Sequence, residues 1–157
     1  PDEPRIAGLN DSKQVKPEER ERIAEQVKQV ALTWTVQYIE PGDIDAHGMT
    51  ASLTTAFCRA IAAVEAQGVQ PEVVLLDGNP LHLDAREINV VKGDGKCASI
   101  AAASIVAKVE RDALMCEYAK RFPAYDFASN KGYASAAHIE AIKQQGLCPA
   151  FTQESLF

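Results

Sequence analysis

The chain has 157 residues, of which 46% are hydrophobic and 24% charged, and its formal net charge is −6. This length suits one compact domain with a real core and is short for two. No apolar stretch approaches the ~20 residues that a membrane helix needs, and the first residues are polar and acidic, unlike a signal peptide. We therefore expect a single domain over residues 1–157, located in the cytoplasm and not attached to a membrane.

The cysteines and histidines are scattered, with no C-x-x-C pair and no histidine at zinc-ligand spacing. These residues are Cys58, Cys97, Cys116, Cys148, His47, His82 and His138. The pattern argues against a disulfide framework and a structural zinc site, and favours reduced thiols used as small apolar side chains.

The negative net charge does not decide whether the chain binds nucleic acid. Phosphate contacts favour a basic surface. A magnesium site, however, is built from acidic side chains, and a few placed lysines and arginines are enough to hold a nucleic-acid backbone. The charge therefore neither supports nor excludes such a partner.

The first half of the chain predicts two helices with a strand between them. Pro17–Ala31 has an apolar stripe at helical spacing, with proline and glutamates in its first turn. Residues 32–39, LTWTVQYI, alternate and are rich in β-formers, which predicts a strand. Pro41-Gly42-Asp43 is typical of a turn, and the apolar spacing from Met49 onward predicts a helix that ends near Gly68.

The second half predicts two strands and two helices. We expect strands at Val73–Asp77 and Ile88–Val91, joined by a loop over 79–87, and the first strand, being wholly apolar, is expected to be buried on both faces. A long helix is predicted over Ser99–Lys120. Another is predicted over Ala136–Gln145, with Ser135 as its N-cap and Gly146 as its stop. This alternation of strands and helices predicts an α/β fold with a central sheet.

Two carboxylates follow the two predicted strands. Asp77 ends the first strand, and Asp94 comes just after the second. If these strands are neighbours, both carboxylates lie at one edge of the sheet, where α/β proteins bind ligands and where Mg²⁺ finds oxygen donors. Asp-Gly is also a common turn dipeptide, so turn roles for both residues stay open. Asp112, in the middle of a predicted helix, is interpreted as solvated or ion-paired.

Other polar residues admit two interpretations each. Ser99 and Ser104 either face a functional site or bond back to the helix backbone. Lys108 is either a binding residue or a lysine whose stem covers the core edge. The Lys131-Gly132-Tyr133 segment is either a binding element or a plain surface turn.

A set of motifs resembles the ribonuclease HII family, in the right order over nearly the whole chain. Their sequences are GLNDSK at 8–13, VVLLDG at 73–78, VVKGDGKCASIAAASIVAKVERDALM at 90–115, NKGY at 130–133, and His138. The resemblance implies a ribonuclease H-like mixed central sheet flanked by helices. It also implies an enzyme that hydrolyses RNA paired with DNA, using Mg²⁺ or Mn²⁺, and that removes ribonucleotides from DNA as a monomer.

The resemblance also implies residue roles. Asp77 and Asp94 match two of four metal-binding carboxylates, and Tyr133 matches a ring that packs on the sugar at the DNA side of the junction. The remaining substrate-binding side chains that it implies are Ser12, Lys13, Ser99, Ser104 and Lys108.

One family motif is not found. The family carries an Asp-Glu dipeptide followed by Gly-Arg-Gly at the end of its first strand, upstream of the GLNDSK segment, whereas Asp2-Glu3 is followed by Pro4-Arg5-Ile6. We therefore expect the sheet to lack its first strands and the 157-residue chain to be inactive or weakly active. Two alternatives are a non-catalytic nucleic-acid-binding protein and, less favoured because no glycine-rich phosphate loop is present, a nucleotide-binding domain.

Overall fold

The computed structural model describes residues 6–151, so the Asp2-Glu3 dipeptide and the tail after Phe151 lie outside the described part. Within it, the chain forms two compact units. The first contains residues 6–37 and 54–109, and the second contains residues 38–53 and 110–151. No helix among the described residues is long and apolar enough to cross a membrane.

The first unit is built around helix α1, Pro17–Val30, which confirms the predicted helix to within one residue. Proline occupies the first turn, where its missing N–H costs nothing, and acidic side chains there face the positive end of the helix. The buried face of α1 packs on helix α3, Ala98–Arg121. The core cluster that they form consists of Ile23, Ala24, Val27, Ile105 and Val106.

The predicted strand at residues 32–39 is wrong. This segment has no regular secondary structure, and Leu32 is 92% exposed. β-Branched and aromatic residues fit a pleated surface, but a strand forms only where a neighbouring strand supplies a hydrogen-bonding ladder. No such partner pairs with this segment among the described residues.

Helix α2, Pro41–Ala66, begins earlier than predicted. The Pro41-Gly42-Asp43 segment forms its first turn and not a separate turn, which agrees with the preference of proline for a helix start. Gly48, at φ 80° and ψ 165°, interrupts the helix. The hydroxyl of Ser52 donates to the Gly48 carbonyl at 2.8 Å and satisfies an acceptor next to the break.

The sheet in the described part has two parallel strands, β1 at Val74–Asp77 and β2 at Glu87–Val90. Both were predicted to within one residue, but the larger mixed sheet is not present in this range. Burial of the predicted strand Val73–Asp77 on both faces was also wrong, since only Leu76 is buried, whereas Val73 and Asp77 are exposed and the two residues between Val73 and Leu76 are half-buried. Among the described residues β1 has only one neighbouring strand, which leaves part of this apolar run in contact with water.

The loop between the strands is held by charged side chains. Arg86 donates to both carboxylate oxygens of Asp84, at 2.8 and 2.6 Å, and to Glu65 at 2.8 Å. The hydrogen bond from Arg86 lowers the pKa of Asp84 from 3.8 to about 2. Glu87 accepts backbone N–H groups of residues 81–83, and the Leu83 N–H contributes most to lowering its pKa. This network sets where β2 begins.

The second unit contains the end of α3, the short helix α4 at Phe127–Asn130 and helix α5 at Ala136–Gln145. Helix α5 confirms its predicted bounds. The Ser135 hydroxyl accepts the His138 N–H at 3.2 Å, and Gly146 ends the helix at φ 80°. The core cluster of this unit consists of Met115, Tyr125, Phe127 and Cys148.

Candidate functional site

Asp77 is the last residue of β1, and its side chain is exposed at the carboxyl end of the sheet. It pairs with Val90, the last residue of the neighbouring parallel strand. The chain therefore leaves β2 beside Asp77, and Oδ1 of Asp77 accepts the Gly93 N–H at 2.8 Å. No donor reaches Oδ2 within residues 6–151, so this oxygen is available for another partner.

Asp94 lies in a 3₁₀ turn, Gly93–Gly95, directly after β2. Its Oδ1 accepts the N–H of the next residue, Gly95, at 2.9 Å, so this contact stays within the turn. The Lys96 ammonium donates to the Val91 carbonyl at 2.7 Å and closes the loop. Asp94 therefore has the turn role that its Asp-Gly dipeptide suggested. That role occupies one carboxylate oxygen and is compatible with a second role.

Gly93 is buried and closely packed, so a larger residue there would require its neighbours to move. A Cβ at this position would lie 2.5 Å from Cδ1 of Ile100 and 3.3 Å from Cβ of Val90. The close approach lets its N–H reach Asp77. Sequence reasoning did not single out Gly93, although a glycine between a strand and an apolar helix start is a signal for close backbone packing.

The GLNDSK loop is anchored to two helices of the first unit. The hydroxyls of Ser12 and Ser104 lie 3.0 Å apart, and Arg20 of α1 donates to the Ser12 carbonyl at 2.9 Å. Ser12 is only 7% exposed, whereas Lys13 is exposed. The loop therefore presents Lys13 to solvent and uses Ser12 for attachment, and the predicted contact of Ser12 with a substrate stays a prediction.

Two further predicted residues lie on α3. Ser99 is exposed in the first turn of the helix. Lys108 is half-buried and lies one turn after Ser104, on the same face. The spacing of Ser104 and Lys108 places the lysine next to the point where the GLNDSK loop is attached.

Tyr133 ends a tight turn in the second unit. Asn130 is buried, donates to the Tyr125 carbonyl at 2.7 Å and accepts the Gly132 N–H at 2.8 Å. Lys131 and Gly132 both have left-handed backbone conformations, at φ 51° and 79°. The Tyr133 ring stands out of this turn and is 61% exposed. An exposed ring on a fixed backbone is suited to packing against a flat partner.

Two residues beside this turn were not assigned roles from sequence. Arg111 holds its guanidinium 5.4 Å from the centre of the Tyr133 ring and donates to the Lys131 carbonyl at 2.9 Å. Nδ1 of His138 lies 3.0 Å from the Tyr133 carbonyl, to which it must donate. Arg111 lies in the helical part of the motif at residues 90–115. Helical spacing alone does not reveal its contact with Lys131, which is 20 residues later in the chain.

Comparison with known proteins identifies the family. The model of the family Ribonuclease HII matches residues 2–156. The chain belongs to the ribonuclease HII family. It is 42% identical over 151 residues to "Ribonuclease HII" of Endomicrobium trichonymphae, covering 95% of this chain and 70% of the relative. It is also 45% identical over 146 residues to "Ribonuclease HII" of Acidothermus cellulolyticus. This alignment covers 92% of this chain and 47% of the relative.

A third relative, "Ribonuclease HII" of Chlorobium chlorochromatii, is 40% identical over 155 residues, which are 98% of this chain and 74% of the relative. The chain thus spans between about half and three quarters of the relatives it matches. Members of the ribonuclease HII family are ribonuclease H hydrolases, and they generally depend on a divalent metal.

The chemistry of the donors at the end of β1 fits part of a divalent-metal site. Asp77 and Asp94 offer carboxylate oxygens, and Mg²⁺ is often held by one or two carboxylates together with waters and substrate phosphates. Within residues 6–151, no group of three or more histidine, cysteine, aspartate or glutamate side chains is placed to hold a metal. The described residues of this ribonuclease HII family member therefore provide two metal-ligand candidates.

Proposed function

We propose that the protein is an endoribonuclease acting on RNA paired with DNA. It cleaves 5′ to ribonucleotides in RNA·DNA hybrids and at single ribonucleotides embedded in duplex DNA, by two-metal hydrolysis with Mg²⁺ or Mn²⁺. The observation that carries this proposal is the 2.8 Å hydrogen bond from the Gly93 N–H to the Asp77 carboxylate. This bond connects Asp77 to the turn that contains Asp94. It supports a shared site for Asp77 and Asp94.

In this proposal each side chain has a defined task. Asp77, oriented by Gly93, and Asp94 hold the cations. When bound, divalent cations in such a site lower the pKa of an attacking water and stabilise the leaving oxygen. Lys13, exposed on an anchored loop, pairs with a phosphate of the substrate. Lys108 and the serines at 12, 99 and 104 line the path of the substrate.

Tyr133 contributes to recognition of the junction between RNA and DNA. We propose that its exposed ring packs on the deoxyribose at the DNA side, where no 2′-hydroxyl needs a hydrogen-bond partner. The 2′-hydroxyl is the group by which proteins tell RNA from DNA. A flat apolar surface favours the sugar that lacks it, because burying an unpaired hydroxyl costs free energy.

We also propose how the 157-residue polypeptide behaves by itself. In this polypeptide the reaction is slow or absent, because the two carboxylates that the described residues offer, Asp77 and Asp94, hold divalent cations weakly by themselves. The resemblance to the family implies four metal-binding carboxylates in a complete site. The cellular role that follows is removal of misincorporated ribonucleotides during DNA repair in the cytoplasm, by a monomer with a single catalytic domain.

The test is cleavage of labelled duplex DNA with one embedded ribonucleotide, in Mg²⁺ and in Mn²⁺. We expect slow hydrolysis at most, and Mn²⁺ binding that weakens in both Asp77→Asn and Asp94→Asn. Glu72→Gln removes an exposed charge outside the site and serves as the control. Robust cleavage that Asp94→Asn abolishes would contradict low activity while supporting the assignment of the site. Unchanged Mn²⁺ binding in both variants would contradict the assignment.

A second candidate function is nucleic-acid binding without hydrolysis. The exposure of Lys13 and Tyr133, together with the presence of only two ligand candidates among residues 6–151, favours it. Salt-dependent binding of a hybrid without cleavage in either metal would support this alternative. Cleavage 5′ to the ribonucleotide would reject it.

A further inference from the structure

Arg111 contacts the Tyr133 turn at two points with a single guanidinium. Its Cζ lies 5.4 Å from the centre of the Tyr133 ring, and its NH1 donates to the Lys131 carbonyl at 2.9 Å. We propose that Arg111 is a positioning residue, which fixes the Tyr133 ring so that the ring meets a nucleic acid in one orientation. The inference rests on the proposed function of Tyr133 and adds the residue that orients it.

The backbone of the turn is already determined without Arg111. Asn130 bonds to both sides of the turn, and the Tyr133 N–H donates to the Asn130 carbonyl at 2.8 Å. A Cβ at Gly132 would lie 3.2 Å from the Met115 side chain, so the turn is seated closely on α3. These bonds fix the backbone of the turn, and none of them is made by the Tyr133 ring.

The ring needs an additional contact because it is largely exposed. At 61% exposure, core packing does not select one rotamer of Tyr133. A guanidinium over one face of a tyrosine ring is attracted by the negative face of the π system, and the contact restrains χ1 and χ2. The second bond, to the Lys131 carbonyl, fixes the guanidinium itself. Arg111 therefore lies over one face of the ring and holds the ring in one orientation toward a sugar.

A competing role for Arg111 is direct contact with a phosphate. The two roles differ in salt dependence. A residue that neutralises a phosphate contributes about one unit to the slope of log K against log salt, whereas a residue acting through Tyr133 contributes nothing to that slope. They also differ in coupling, because a positioning effect disappears when the ring that it positions is removed.

The experiment measures binding of a fluorescent RNA·DNA hybrid to the 157-residue protein between about 50 and 200 mM salt. The variants are Arg111→Ala, Arg111→Lys, Tyr133→Ala and the double variant Arg111→Ala/Tyr133→Ala. Arg121→Ala is the matched control, because Arg121 lies on the same helix, is exposed, and packs against the rings of Tyr118 and Phe122. Thermal melting confirms that each variant is folded.

We expect Arg111→Ala to bind the hybrid about threefold to tenfold more weakly, from loss of the cation–π contact and one hydrogen bond. In Arg111→Ala, the slope of log K against log salt should equal that of the unmodified protein. The double variant should bind the hybrid no more weakly than Tyr133→Ala. Arg111→Lys restores part of the affinity, because lysine keeps the charge but not the planar donor. Arg121→Ala binds normally.

Hydrogen exchange in the free protein gives a readout that does not depend on the ligand. Arg111→Ala should speed exchange of the Gly132 and Tyr133 amides and leave the amides of α5 unchanged. Two results together would overturn the inference in favour of a phosphate contact. The slope of log K against log salt would be reduced by about one in Arg111→Ala, and Arg111→Ala would still weaken hybrid binding in the Tyr133→Ala background. Normal affinity of Arg111→Ala would overturn the inference alone, whereas failure of the unmodified protein to bind any hybrid would overturn the proposed function with it.

Discussion

The Gly93 N–H and Oδ1 of Asp77 lie 2.8 Å apart, and their hydrogen bond joins the end of β1 to the turn that carries Asp94. The bond orients Asp77 from the loop that follows the neighbouring strand. Any change that displaces this loop therefore also changes the direction of the Asp77 carboxylate. The geometry of the two acidic residues depends on a residue that has no side chain.

Replacing Gly93 with alanine should disturb both stability and metal binding. The new Cβ would meet Cδ1 of Ile100 at 2.5 Å, so the Ile100 side chain must rotate, or the loop or the helix start must shift. We expect a loss of about 1–3 kcal/mol in the free energy of unfolding, which is typical of overpacking. We also expect weaker Mn²⁺ binding. Urea unfolding and Mn²⁺ titration followed by electron paramagnetic resonance measure the two effects.

Gly95 supplies the control for this prediction, because a Cβ there has no atom within 4 Å. Gly95→Ala should leave stability nearly unchanged. In the Gly93→Ala background, Ile100→Val removes the clashing Cδ1 and should recover part of the lost stability. If Gly93→Ala were as stable as the unmodified protein, the close packing of this loop would be contradicted.

The Ser12–Ser104 hydrogen bond should appear as an energetic coupling. Removing either hydroxyl leaves the other with a partner missing in a mostly buried place, which costs about 1 kcal/mol. The double variant Ser12→Ala/Ser104→Ala should be hardly less stable than the worse single variant, because both single changes break the same bond. Urea unfolding of the four proteins gives the coupling.

Ser99→Ala is the matched control, since this serine is exposed on the same helix as Ser104. It should change the free energy of unfolding by less than about 0.5 kcal/mol. Additive effects of Ser12→Ala and Ser104→Ala would show that the two hydroxyls do not interact in solution. In that case the loop of Lys13 would need another anchor.

Asp84 should contribute to stability at neutral pH and lose that contribution in acid. Its pKa in the folded protein is about 2, below its ordinary 3.8, because Arg86 donates hydrogen bonds to the carboxylate. A lowered pKa means that the stabilisation is complete above about pH 4 and is lost as the pH falls through about 2. The stability difference between the unmodified protein and Asp84→Asn should therefore shrink only below pH 4.

Carbon-13 NMR of the Asp84 carboxyl group tests this prediction directly. The titration midpoint should lie near pH 2, and it should rise toward the ordinary value in Arg86→Met, which lacks the guanidinium. A midpoint near 3.8 in the unmodified protein would contradict the ion pair.

Ser135 should stabilise helix α5 as its N-cap. Its hydroxyl accepts the His138 N–H at 3.2 Å, and replacing a serine cap with alanine typically costs about 0.5–2 kcal/mol. Ser135→Asp should keep most of this stability because aspartate is an equally good cap. Ser129→Ala, an exposed serine in α4, is the comparison. Equal stability of Ser135→Ala and the unmodified protein would argue against the cap.

Local patterns predicted helices α1, α3 and α5 and the two paired strands to within one residue, but they misread the first turn of α2 as a separate turn. Pro17, Ser135 and Gly146 mark helix ends through their own backbone preferences, so they act wherever they occur. The segment at residues 32–39 shows the limit of this reasoning. Its side chains have strand propensity, but pairing depends on a partner distant in sequence, and propensity carries no information about that partner.

The candidate site was also predictable in part, because local patterns place its two carboxylates at the ends of strands. Asp77 ends β1 and Asp94 follows β2, and the parallel pairing of those strands brings the end of β1 next to the turn of Asp94, as the pattern indicated. The close packing of Gly93 on Ile100 and the contact of Arg111 with Tyr133 could not be predicted. Both depend on distances between elements, which periodicity does not contain.

The Ser12–Ser104 bond also bears on how the chain folds, because it joins residues 92 positions apart. Contacts across such a separation form after local ones, since the entropy of closing a long loop must be overcome first. Helices α1 and α3 need only neighbouring residues to begin. In a refolding time course, the helical circular dichroism signal should therefore return before the protein recovers its affinity for a nucleic acid through Lys13.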